Sequence, residues 1–572
     1  MNFWQIFLRV LPWRPIAALF AAWYHVSGRR VRARNRLRAA GAALPFAYDL
    51  WMRNAEQEEA VAAHAGQERA PWLTELSFSV IIDARGRDDR LVATSIASIK
   101  RQSVQLRTES IVLSANAPTA GRTPSPRSIG DALAVAKGEF VLVLSAGSQL
   151  SRNALFRIAE GIRSLPNVAL IYGDEDKIEA GRRSAAWFKP QWNRELFLAM
   201  DYISSACALR TSVARRAIEQ LNDDDLSLTA IVLQVAAADE RKILNVPHIL
   251  VHLEGDQLRD PSTHERAVTA AVKLEGGIVS RAPYNTLKVS WPLPDQDPPL
   301  VSIIIPTRDR VGLLRACVTS LLERTNYAPV EVLIVDNGSS NASTHAYLEI
   351  IRNDPRVRVI AAPGPYNYSA LNNQAAEVAS GKFLCLLNND TEVINGDWLT
   401  EMMRHAVRPE VGAVGAKLLY TDRTIQHAGV VVGIGDAAGH AHRYLREGDR
   451  GYFALPHSTH YVSAVTGACL LVSKEKFQSV GGLDAEAFAV AYNDVDLCLK
   501  LETAGFRNVY VPHAVLIHQE SKSRGKDHSP SQIDRYRAEL RRFQERWGAD
   551  DYRDPLLNPN LDRSSETFLI RF

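Results

Sequence analysis

Three apolar runs in the second half of the chain each end in polar residues that could bind a nucleotide or a metal ion. The endings are Pro306-Thr307-Arg308-Asp309, Asp336-Asn337-Gly338-Ser339 and Asn388-Asn389-Asp390. Asp336 can accept hydrogen bonds from a base or a ribose, and Gly338 lets the backbone approach a nucleotide closely. The oxygens of Asn388 and Asp390 suit Mg²⁺ or Mn²⁺ bound to a diphosphate. A single ending of this kind is usually a turn, but three in succession predict one site.

A second acidic cluster lies further along the chain, where residues 492–500 read YNDVDLCLK. The run DLCLKLETAG predicts a helix that ends at Gly505. Asp494 and Asp496 then lie in its first turn, where a carboxylate also stabilises the helix dipole. Helix capping and general base catalysis both explain an aspartate at that position. His518, at the end of the next apolar run, is predicted to face the same cleft as Asp390.

The elements that must position these side chains are short buried strands that alternate with helices. In the second half of the chain, VSIII, VEVLIV and KFLCLL are each followed by a helical pattern. Such apolar runs between helices are typical of a parallel sheet with both faces covered. Ligands bind beyond the carboxyl ends of these strands. We therefore predict an α/β fold whose mostly parallel, Rossmann-like sheet brings the three endings to one edge.

These motifs resemble family 2 glycosyltransferases of the GT-A fold, in particular rhamnosyltransferase-like bacterial enzymes of O-antigen and other polysaccharide biosynthesis. The resemblance rests on VSIIIPTRDR, VDNGS, SALNN, LLNNDTEV, VGAVGAKLLY, SAVTGACLLV, YNDVDLCLKL and HQESKSRG. It covers most of the chain and implies an inverting, metal-dependent transfer of a hexosyl or rhamnosyl group. The implied partners are a dTDP-, UDP- or GDP-sugar donor, a saccharide or lipid-linked saccharide acceptor, and Mg²⁺ or Mn²⁺.

The resemblance also implies a role for each matching residue. The residues implied to bind the nucleotide sugar are Pro306, Thr307, Asp309, Asp336, Gly338, Asn372, Asn388 and Asn389. Asp390 matches the metal-binding carboxylate of the family, Asn388 replaces the first aspartate of Asp-x-Asp, and His518 completes the metal site. Asp494 matches the catalytic base. The residues predicted to shape the acceptor side are His440, Thr466, Gly467 and Asp496. A mobile surface loop explains the glycine-rich stretch around His440 equally well.

The first half of the chain repeats the same pattern, which indicates an internal duplication. GEFVLVLSAG matches GKFLCLLNND, and NVPHILVH matches VYVPHAVLIH. At the critical positions, Ser114 aligns with Asp336, and Ser145-Ala146-Gly147 aligns with the metal-binding triplet. The acidic and histidine positions that remain are Asp223, Asp225 and His252. The first copy is predicted to be degenerate, because a departing diphosphate would find no counter-charge there.

Other classes of function stay open at this stage. Both copies could be active, which gives a bifunctional glycosyltransferase, or neither, which gives a saccharide-binding scaffold. A nucleotidyltransferase also binds a nucleotide and a metal at strand ends. It usually carries a glycine-rich loop after its first strand, which PTRDRVG lacks. A hydrolase is disfavoured because the chain contains no GxSxG or HExxH pattern.

Length and composition indicate a globular protein with several domains. The 572 residues carry a formal net charge of +3, which gives no indication of nucleic acid binding. Five scattered cysteines without a CxxC pair favour a reducing cytoplasm. The predicted divisions are a leader at 1–75, a degenerate glycosyltransferase-like domain at 76–290, a proline-rich linker at 291–299, a catalytic domain at 300–525 and a tail with one helix at 526–572.

The leader combines aromatic and aliphatic bulk with clustered arginines. Its longest uncharged run, residues 15–27, has 13 residues, whereas a membrane-spanning helix needs about 20. Six arginines follow between Arg29 and Arg38. This composition favours a peripheral position on the anionic inner face of the cytoplasmic membrane. The alternative is a helix that packs on the protein's own core and turns a solvated basic face outward.

Overall fold

The chain folds into a helical leader, two α/β units and a C-terminal helix with an irregular segment. The computed structural model describes residues 3–44, 46–55, 71–104, 106–114, 126–221, 226–254, 260–294, 296–519 and 530–571. The leader helices are α1 (Phe3–Val10), α2 (Pro15–Val26) and α3 (Arg30–Ala42). Among the described residues, no helix combines the length and the apolar character that crossing a membrane requires.

The three leader helices pack together through small and aliphatic side chains. Ile6 and Val10 of α1, Ala18 and Ala21 of α2 and Leu37 of α3 are buried in one apolar cluster. Burial of alanine lets α2 and α3 approach each other closely, so the larger side chains of α2 are left on its outer side. The leader thus has an inner face held by packing and an outer face that is strongly apolar.

The first unit is built on a mixed sheet in the order β2-β1-β3-β7-β5-β8-β4, with β6 paired to β5. Its strands are β1 (Ser77–Asp83), β2 (Arg107–Leu113), β3 (Phe140–Ser145), β4 (Gln149–Leu150), β5 (Leu170–Glu179), β6 (Arg182–Trp187), β7 (Cys207–Arg210) and β8 (Ile243–Glu254). Its helices are α4 (Asp89–Lys100), α5 (Ile129–Val135), α6 (Ala154–Ser164), α7 (Arg194–Ala199), α8 (Thr211–Ile218), α9 (Leu228–Asp239) and α10 (Pro261–Lys273). A hairpin of β9 (Ile278–Ala282) and β10 (Thr286–Ser290) follows.

The second unit has the sheet order β13-β12-β11-β14-β21-β16-β22-β15, with β17 paired to β16 and β20 paired to β22. Its strands in this sheet are β11 (Val301–Thr307), β12 (Val330–Asp336), β13 (Val357–Ala361), β14 (Phe383–Leu387), β15 (Thr391–Val393), β16 (Val411–Leu419), β17 (Ile425–His427), β20 (His460–Val462), β21 (Cys469–Ser473) and β22 (Arg507–His518). A separate hairpin joins β18 (Val430–Val432) and β19 (Ala438–His440). Its helices are α11 (Val311–Arg324), α12 (Ala342–Ile351), α13 (Tyr368–Val378), α14 (Trp398–Ala406), α15 (Lys474–Ser479) and α16 (Asn493–Thr503). Helix α17 (Pro530–Trp547) follows the second unit.

The predicted α/β class is confirmed, and the sheet shows why the apolar runs are continuous. Every residue of β11 is buried, because helices cover both faces and because β12 and β14 flank it in parallel. The sheet changes character beyond β14, where β21 pairs antiparallel to both β14 and β16. The parallel part that the apolar runs indicate therefore forms one half of a mixed sheet.

The two sheets share their strand order and one bonding pattern. β2-β1-β3-β7-β5-β8-β4 corresponds strand by strand to β12-β11-β14-β21-β16-β22-β15, and the second unit adds β13 at its edge. In the first unit Ser79 Oγ lies 2.5 Å from Glu109 Oε1, and in the second unit Ser302 Oγ lies 2.5 Å from Glu331 Oε1. In both units the serine also accepts a backbone N–H at 2.8 Å. The repeated pattern supports the predicted duplication.

The two units are joined by a common core and by buried ion pairs. One apolar cluster contains Ile81 of the first sheet and Ile304 of the second. Arg408 Nη1 lies 2.7 Å from Glu195 Oε1, and both side chains are almost fully buried. The segment after α17 returns to the first unit, where Asn558 Nδ2 donates to Asp174 Oδ1 at 3.0 Å.

Candidate active site

The predicted meeting of strand endings at one sheet edge is confirmed. β11 and β12 run parallel with Thr307 opposite Asp336, and β14 flanks β11 on the other side. The loop after β14 reaches back to the first ending, where Asn389 Nδ2 donates to Thr307 Oγ1 at 2.9 Å. Parallel pairing therefore places all three endings side by side, as the strand pattern predicts.

Asp390 and His518 come together because β15 pairs antiparallel with β22, which sets Thr391 opposite His518. Asp390 Oδ1 lies 3.1 Å from His518 Nε2, and both side chains are buried. Asn388 Nδ2 lies 3.3 Å from the same nitrogen. The oxygen and nitrogen of an amide are exchanged by a half-turn, so Asn388 can direct its oxygen to the same point.

These three side chains fit a divalent cation that also binds a diphosphate. Across the described residues, no three His, Cys, Asp or Glu side chains form a metal-binding group. The chain itself therefore offers one carboxylate, one imidazole and the amide of Asn388. Mg²⁺ is commonly held by one or two carboxylates, with substrate phosphates and water as its other ligands. The donor set at Asp390 suits an ion that arrives with its substrate.

Asp494 lies in the first turn of α16, as the sequence predicts, and is held from both sides. Its Oδ2 accepts the N–H of Gly467 at 2.8 Å, and its Oδ1 accepts the N–H of Val495 at 2.9 Å. The Tyr368 hydroxyl donates to the carbonyl of Gly467 at 2.7 Å, which fixes that turn. Burial raises the pKa of Asp494 above its ordinary value, although these hydrogen bonds counteract part of the effect. A raised pKa makes this carboxylate a better proton acceptor.

Two connected cavities contain these groups. The larger has a volume of about 570 Å³ and is lined by residues that include Asn388, Asp390, His440, Thr466, Gly467, Asp494 and His518. The smaller has a volume of about 270 Å³ and is lined by Pro306, Thr307, Arg308, Tyr366, Tyr368, Asn388, Asn389, Asp390, Val490, Gln532 and Arg535. Asn388 and Asp390 belong to both cavities. The candidate metal site therefore lines both the smaller cavity, which contains the strand endings, and the larger cavity, which contains Asp494.

Asp309 and Asp336 brace the loop after β12. Asp309 Oδ1 accepts the N–H groups of Ser340 and Asn341, which lower its pKa. Asp336 Oδ1 accepts from the backbone and the hydroxyl of Ser339. Gly338 has φ = 72°, a conformation that favours glycine. These residues shape the loop at the strand endings through bonds within the loop itself, and their predicted contact with a nucleotide sugar stays a prediction.

Two of the predicted site residues are placed elsewhere, and we correct them. Asn372 is completely buried inside α13, where its Nδ2 donates to the Tyr368 carbonyl at 2.8 Å. Asp496 is also completely buried, and it accepts hydrogen bonds from Arg546 at 2.9 Å and from Trp547 at 3.0 Å. Asp494 and Asp496 are two positions apart on a helix and therefore point in different directions. Asp496 anchors α17 and does not line either cavity.

His440 lies at the cavity wall within a histidine pair. His440 is the last residue of β19, and its Nδ1 lies 2.9 Å from Nδ1 of His427, the last residue of β17. Burial lowers the pKa of His440 to about 3, so the ring is neutral near pH 7. The glycine-rich stretch is thus held by strand pairing and by this contact.

Side chains of leader helix α3 and of helix α17 complete the walls of the two cavities. The sequence did not indicate these side chains. Gln532 and Arg535 of α17 line the smaller cavity, and Tyr536 of α17 lines the larger. The Tyr536 hydroxyl lies 2.8 Å from the Tyr492 hydroxyl, next to Asp494 in the chain. Arg34 of leader helix α3 also lines the larger cavity. Their only signal was a basic, amphipathic helical pattern, which is equally typical of a solvated surface.

At the matching edge of the first unit, the described side chains bond to one another. His252 occupies the place of His518, since β4 pairs antiparallel with β8 and sets Gln149 opposite His252. His252 Nδ1 lies 2.5 Å from Asp176 Oδ1, and Arg183 Nε lies 2.6 Å from Asp176 Oδ2. Ser145-Ala146-Gly147 provides no carboxylate. Asp223 and Asp225 lie outside the described residues.

Comparison with known proteins finds a family match for one part of the chain. Residues 302–470 match the family model described as Glycosyl transferase family 2. The O-antigen biosynthesis protein RfbC of Myxococcus xanthus is 36% identical over 463 residues, which are 77% of this chain and 35% of that protein. The uncharacterized protein y4gI of Sinorhizobium fredii is 39% identical over 462 residues, which are 77% of this chain and 50% of that protein. The chain thus spans half or less of the length of these relatives.

Two further likenesses are more distant. An N-acetylglucosaminyl-diphospho-decaprenol L-rhamnosyltransferase of Mycobacterium tuberculosis is 27% identical over 227 residues, which are 35% of this chain and 69% of that protein. Among solved structures, the mannosyltransferase PcManGT from Pyrobaculum calidifontis, in complex with GDP-Man and Mn²⁺, has a TM-score of 0.34 and 17% sequence identity. It covers 46% of this chain, and the match spans 68% of that structure.

Proposed function

We propose that the second unit, in which residues 302–470 match the glycosyl transferase family 2 model, moves a sugar from a nucleotide-sugar donor to a saccharide or lipid-linked saccharide. The transfer is metal-dependent and inverts the anomeric centre. One observation carries the proposal: Asp390, His518 and Asp494 line a single cavity of about 570 Å³. That cavity combines ligands for a cation with a buried carboxylate of raised pKa.

In the proposed reaction, Asp494 accepts the proton of the acceptor hydroxyl as the new bond to the anomeric carbon forms. The bond from that carbon to the diphosphate breaks, and the nucleoside diphosphate leaves with the electron pair. A divalent ion held by Asp390, His518 and Asn388 would supply positive charge to the departing diphosphate. Arg535, at the wall of the smaller cavity, contributes a second positive charge. Attack from the face opposite the leaving group produces inversion.

The proposed donor is a dTDP-, UDP- or GDP-sugar that occupies the smaller cavity. Thr307 and Asn389 hold the strand endings together there, and Tyr366 offers an aromatic wall. The similarity to an O-antigen biosynthesis protein and to a rhamnosyltransferase supports a role in the synthesis of a cell-surface polysaccharide, with rhamnosyl or hexosyl transfer.

We propose that the first unit is a duplicated copy that has lost catalysis. The shared strand order supports the duplication. Asp176 and His252 bind each other, and the Tyr48 hydroxyl donates to Asp176 at 2.5 Å, so this edge is filled by the protein itself. A bifunctional enzyme would need a second cation site, and these bonds occupy the place where it would lie.

The leader supports a peripheral position on the inner face of the cytoplasmic membrane. Trp13, Ile16, Leu19, Phe20 and Trp23 are 48% to 70% exposed and follow one stripe along α2 and the turn before it. Aromatic and aliphatic side chains of this kind enter the lipid interface, and nearby arginines attract anionic lipids. The stripe would otherwise leave a large apolar surface in water, which soluble monomers rarely do.

Binding of nucleoside diphosphate tests the catalytic proposal directly. The melting temperature is measured with UDP, GDP or dTDP, each with and without Mn²⁺. We expect one of these nucleotides to raise the melting temperature only when the metal is present, because binding stabilises the folded state by mass action. Asp390→Ala should abolish the metal-dependent increase, and the matched variant His252→Ala should retain it. No increase with any of the nucleotides, or an increase that persists in Asp390→Ala, would contradict the proposed site.

A flotation experiment tests the membrane proposal. The protein should float with vesicles that contain anionic phosphatidylglycerol, and replacement of Ile16, Phe20 and Trp23 by Ser should release it. Replacing the exposed Arg29 and Arg36 by Gln should weaken the free energy of membrane binding by about 1 kcal/mol for each charge and so reduce the fraction of protein that floats. Wild-type protein that stays in the aqueous fraction at low salt would contradict membrane docking.

A further inference from the structure

A cleft in the leader combines arginines with an apolar wall. Its volume is about 270 Å³. The side chains that define it are Phe3, Ile6 and Leu37 on the apolar side and Arg30, Arg34 and Arg38 on the basic side. No Asp or Glu is among its lining residues in the part of the chain that the structure describes. The cleft is therefore positively charged at one wall and hydrocarbon-like at the other.

Arg34 belongs to this cleft and also to the larger cavity of the second unit, which contains Asp494. The cleft and the proposed acceptor chamber therefore meet at this side chain. Arg34 Nε is buried and makes no hydrogen bond with any described residue. This guanidinium N–H can therefore donate a hydrogen bond to a ligand that enters the cleft.

The neighbours of these arginines hold the basic wall in place. Asn35 Nδ2 donates to Glu566 Oε2 at 2.9 Å, and Glu566 lies close enough to Arg34 for the arginine to affect its pKa. Arg38 Nη1 lies 2.8 Å from Asp562 Oδ2. Both acidic residues come from the segment after α17, so α3 is fixed against the second unit. Arg30 is exposed and forms no such ion pair with the residues that the structure describes.

The cleft and the exposed stripe are built by the same helices. Phe3 and Ile6 face the cleft, while Trp4 and Leu8 of the same helix α1 are 47% and 67% exposed. A ligand with a hydrocarbon chain can therefore lie along α1 and stay close to the lipid-facing side. Its charged head would meet the arginines, which bind phosphate oxygens through several N–H groups at once.

We propose that this cleft binds the phosphate group that joins the acceptor saccharide to a membrane lipid. The saccharide extends past Arg34 to Asp494, and the first part of the hydrocarbon chain lies against Phe3 and Ile6. The inference rests on the proposed transferase function and specifies its acceptor as a lipid phosphate ester or diphosphate ester. A free saccharide has neither the phosphate group that the arginines would bind nor the hydrocarbon chain that the apolar wall would bind.

Binding of farnesyl diphosphate to the full chain tests this inference by calorimetry. EDTA is present, so that the diphosphate cannot be held through a metal at Asp390. Arg34→Gln and Arg30→Gln should each weaken binding about tenfold, since each loses charge-assisted hydrogen bonds to phosphate. Arg36→Gln is the matched control, because Arg36 is on the same helix but is exposed and lies outside the cleft. It should leave the affinity unchanged.

Three results would overturn the inference. The first is equal affinity in wild type, Arg34→Gln and Arg30→Gln. The second is loss of binding in Asp390→Ala, which would locate the probe at the metal site. The third is inorganic diphosphate that binds as tightly as farnesyl diphosphate, which would remove the role of the apolar wall. Failure of the transferase proposal would appear separately, as loss of the Mn²⁺-dependent nucleotide effect, which this measurement does not use.

Discussion

The two α/β units have the same strand order and the same serine–glutamate bond under the sheet, yet their strand endings differ. In the second unit, the loop after β14 carries Asp390, which meets His518 at the edge of an open cavity. In the first unit, the corresponding loop has no carboxylate, and His252 is bonded to Asp176. The apolar strands and the serine–glutamate bond are thus common to both sheets. The two sheets differ in a few residues at one edge, and both keep the same strand order.

The two edges also differ in what the rest of the chain does there. At the first unit, Tyr48 of the leader donates to Asp176, and Asn558 of the C-terminal segment donates to Asp174. At the second unit, α3 and α17 form cavity walls and leave space between them. The leader and the C-terminal part of the chain therefore bond to carboxylates of β5 in the first unit and line a cavity in the second.

The largest expected effect comes from the carboxylate that only the second unit has. Asp390→Ala should remove all detectable product, because the departing diphosphate loses its cation. The matched change in the first unit, His252→Ala, should leave turnover per folded molecule unchanged. The measurement is product analysis with one nucleotide sugar and a defined acceptor. A residual product of different linkage in Asp390→Ala, which disappears when His252→Ala is added, would show two active sites.

Asp494→Asn should lower kcat by about 10²–10⁴ while Mn²⁺-dependent nucleotide binding persists, since the amide cannot accept the proton. The pH dependence gives a second test. The raised pKa of Asp494 means that the carboxyl becomes protonated, and inactive as a base, at a higher pH than an ordinary aspartate. The acid limb of kcat should therefore lie at a higher pH than the pKa of an ordinary aspartate would place it. Near wild-type turnover in Asp494→Asn would remove this residue as the base.

The buried cluster of the first unit should affect stability and not catalysis. Asp176→Asn leaves Arg183 and His252 without their charged partner, which should lower the free energy of unfolding by about 3 kcal/mol. Urea unfolding measures the loss, and kcat per folded molecule at low temperature should equal that of wild type. A fall in kcat without a fall in stability would mean that the first unit takes part in the reaction.

The smallest effect is expected at Arg535 of α17. Arg535→Gln should raise the KM for the nucleotide sugar about tenfold, since one charge-assisted contact to the donor is lost. Arg537→Gln is the control, because Arg537 is exposed on the same helix. Equal KM values in the two variants would show that Arg535 does not contact the donor.

Most of the second unit could be predicted from its sequence because its signals are local. The apolar, β-branched run VSIIIPT predicts a buried strand from its own residues, and the polar residues come directly after it in the sequence. The DLCLKLETAG pattern likewise predicts α16, with Asp494 in its first turn. The antiparallel pairing of β21 with β14 and β16 could not be predicted, because strand direction is set by connections between distant residues and not by a local pattern.

The cavity walls could not be predicted for a related reason. The side chains of Asp494 and Asp496 are chemically identical, and only the rotation of α16 decides that one faces the cavity and the other faces Arg546. Asn372 is polar but enclosed, which its helix pattern did not reveal. Arg34 and Arg535 belong to helices far from the motifs in sequence. Their contribution depends on tertiary docking, for which the sequence alone provides no periodic signal.

Asn35 and Glu566, which bond to each other across 531 positions of the chain, impose an order on assembly. At a synthesis rate of about 5–20 residues per second, α3 is made on the order of a minute before its partner exists. Throughout that interval the apolar stripe of the leader is already complete, but the surface on which α3 finally docks is not. The leader is therefore synthesised before the second unit is complete. Glu566 also lines the chamber around Asp494, so that wall can form only when translation has passed residue 566.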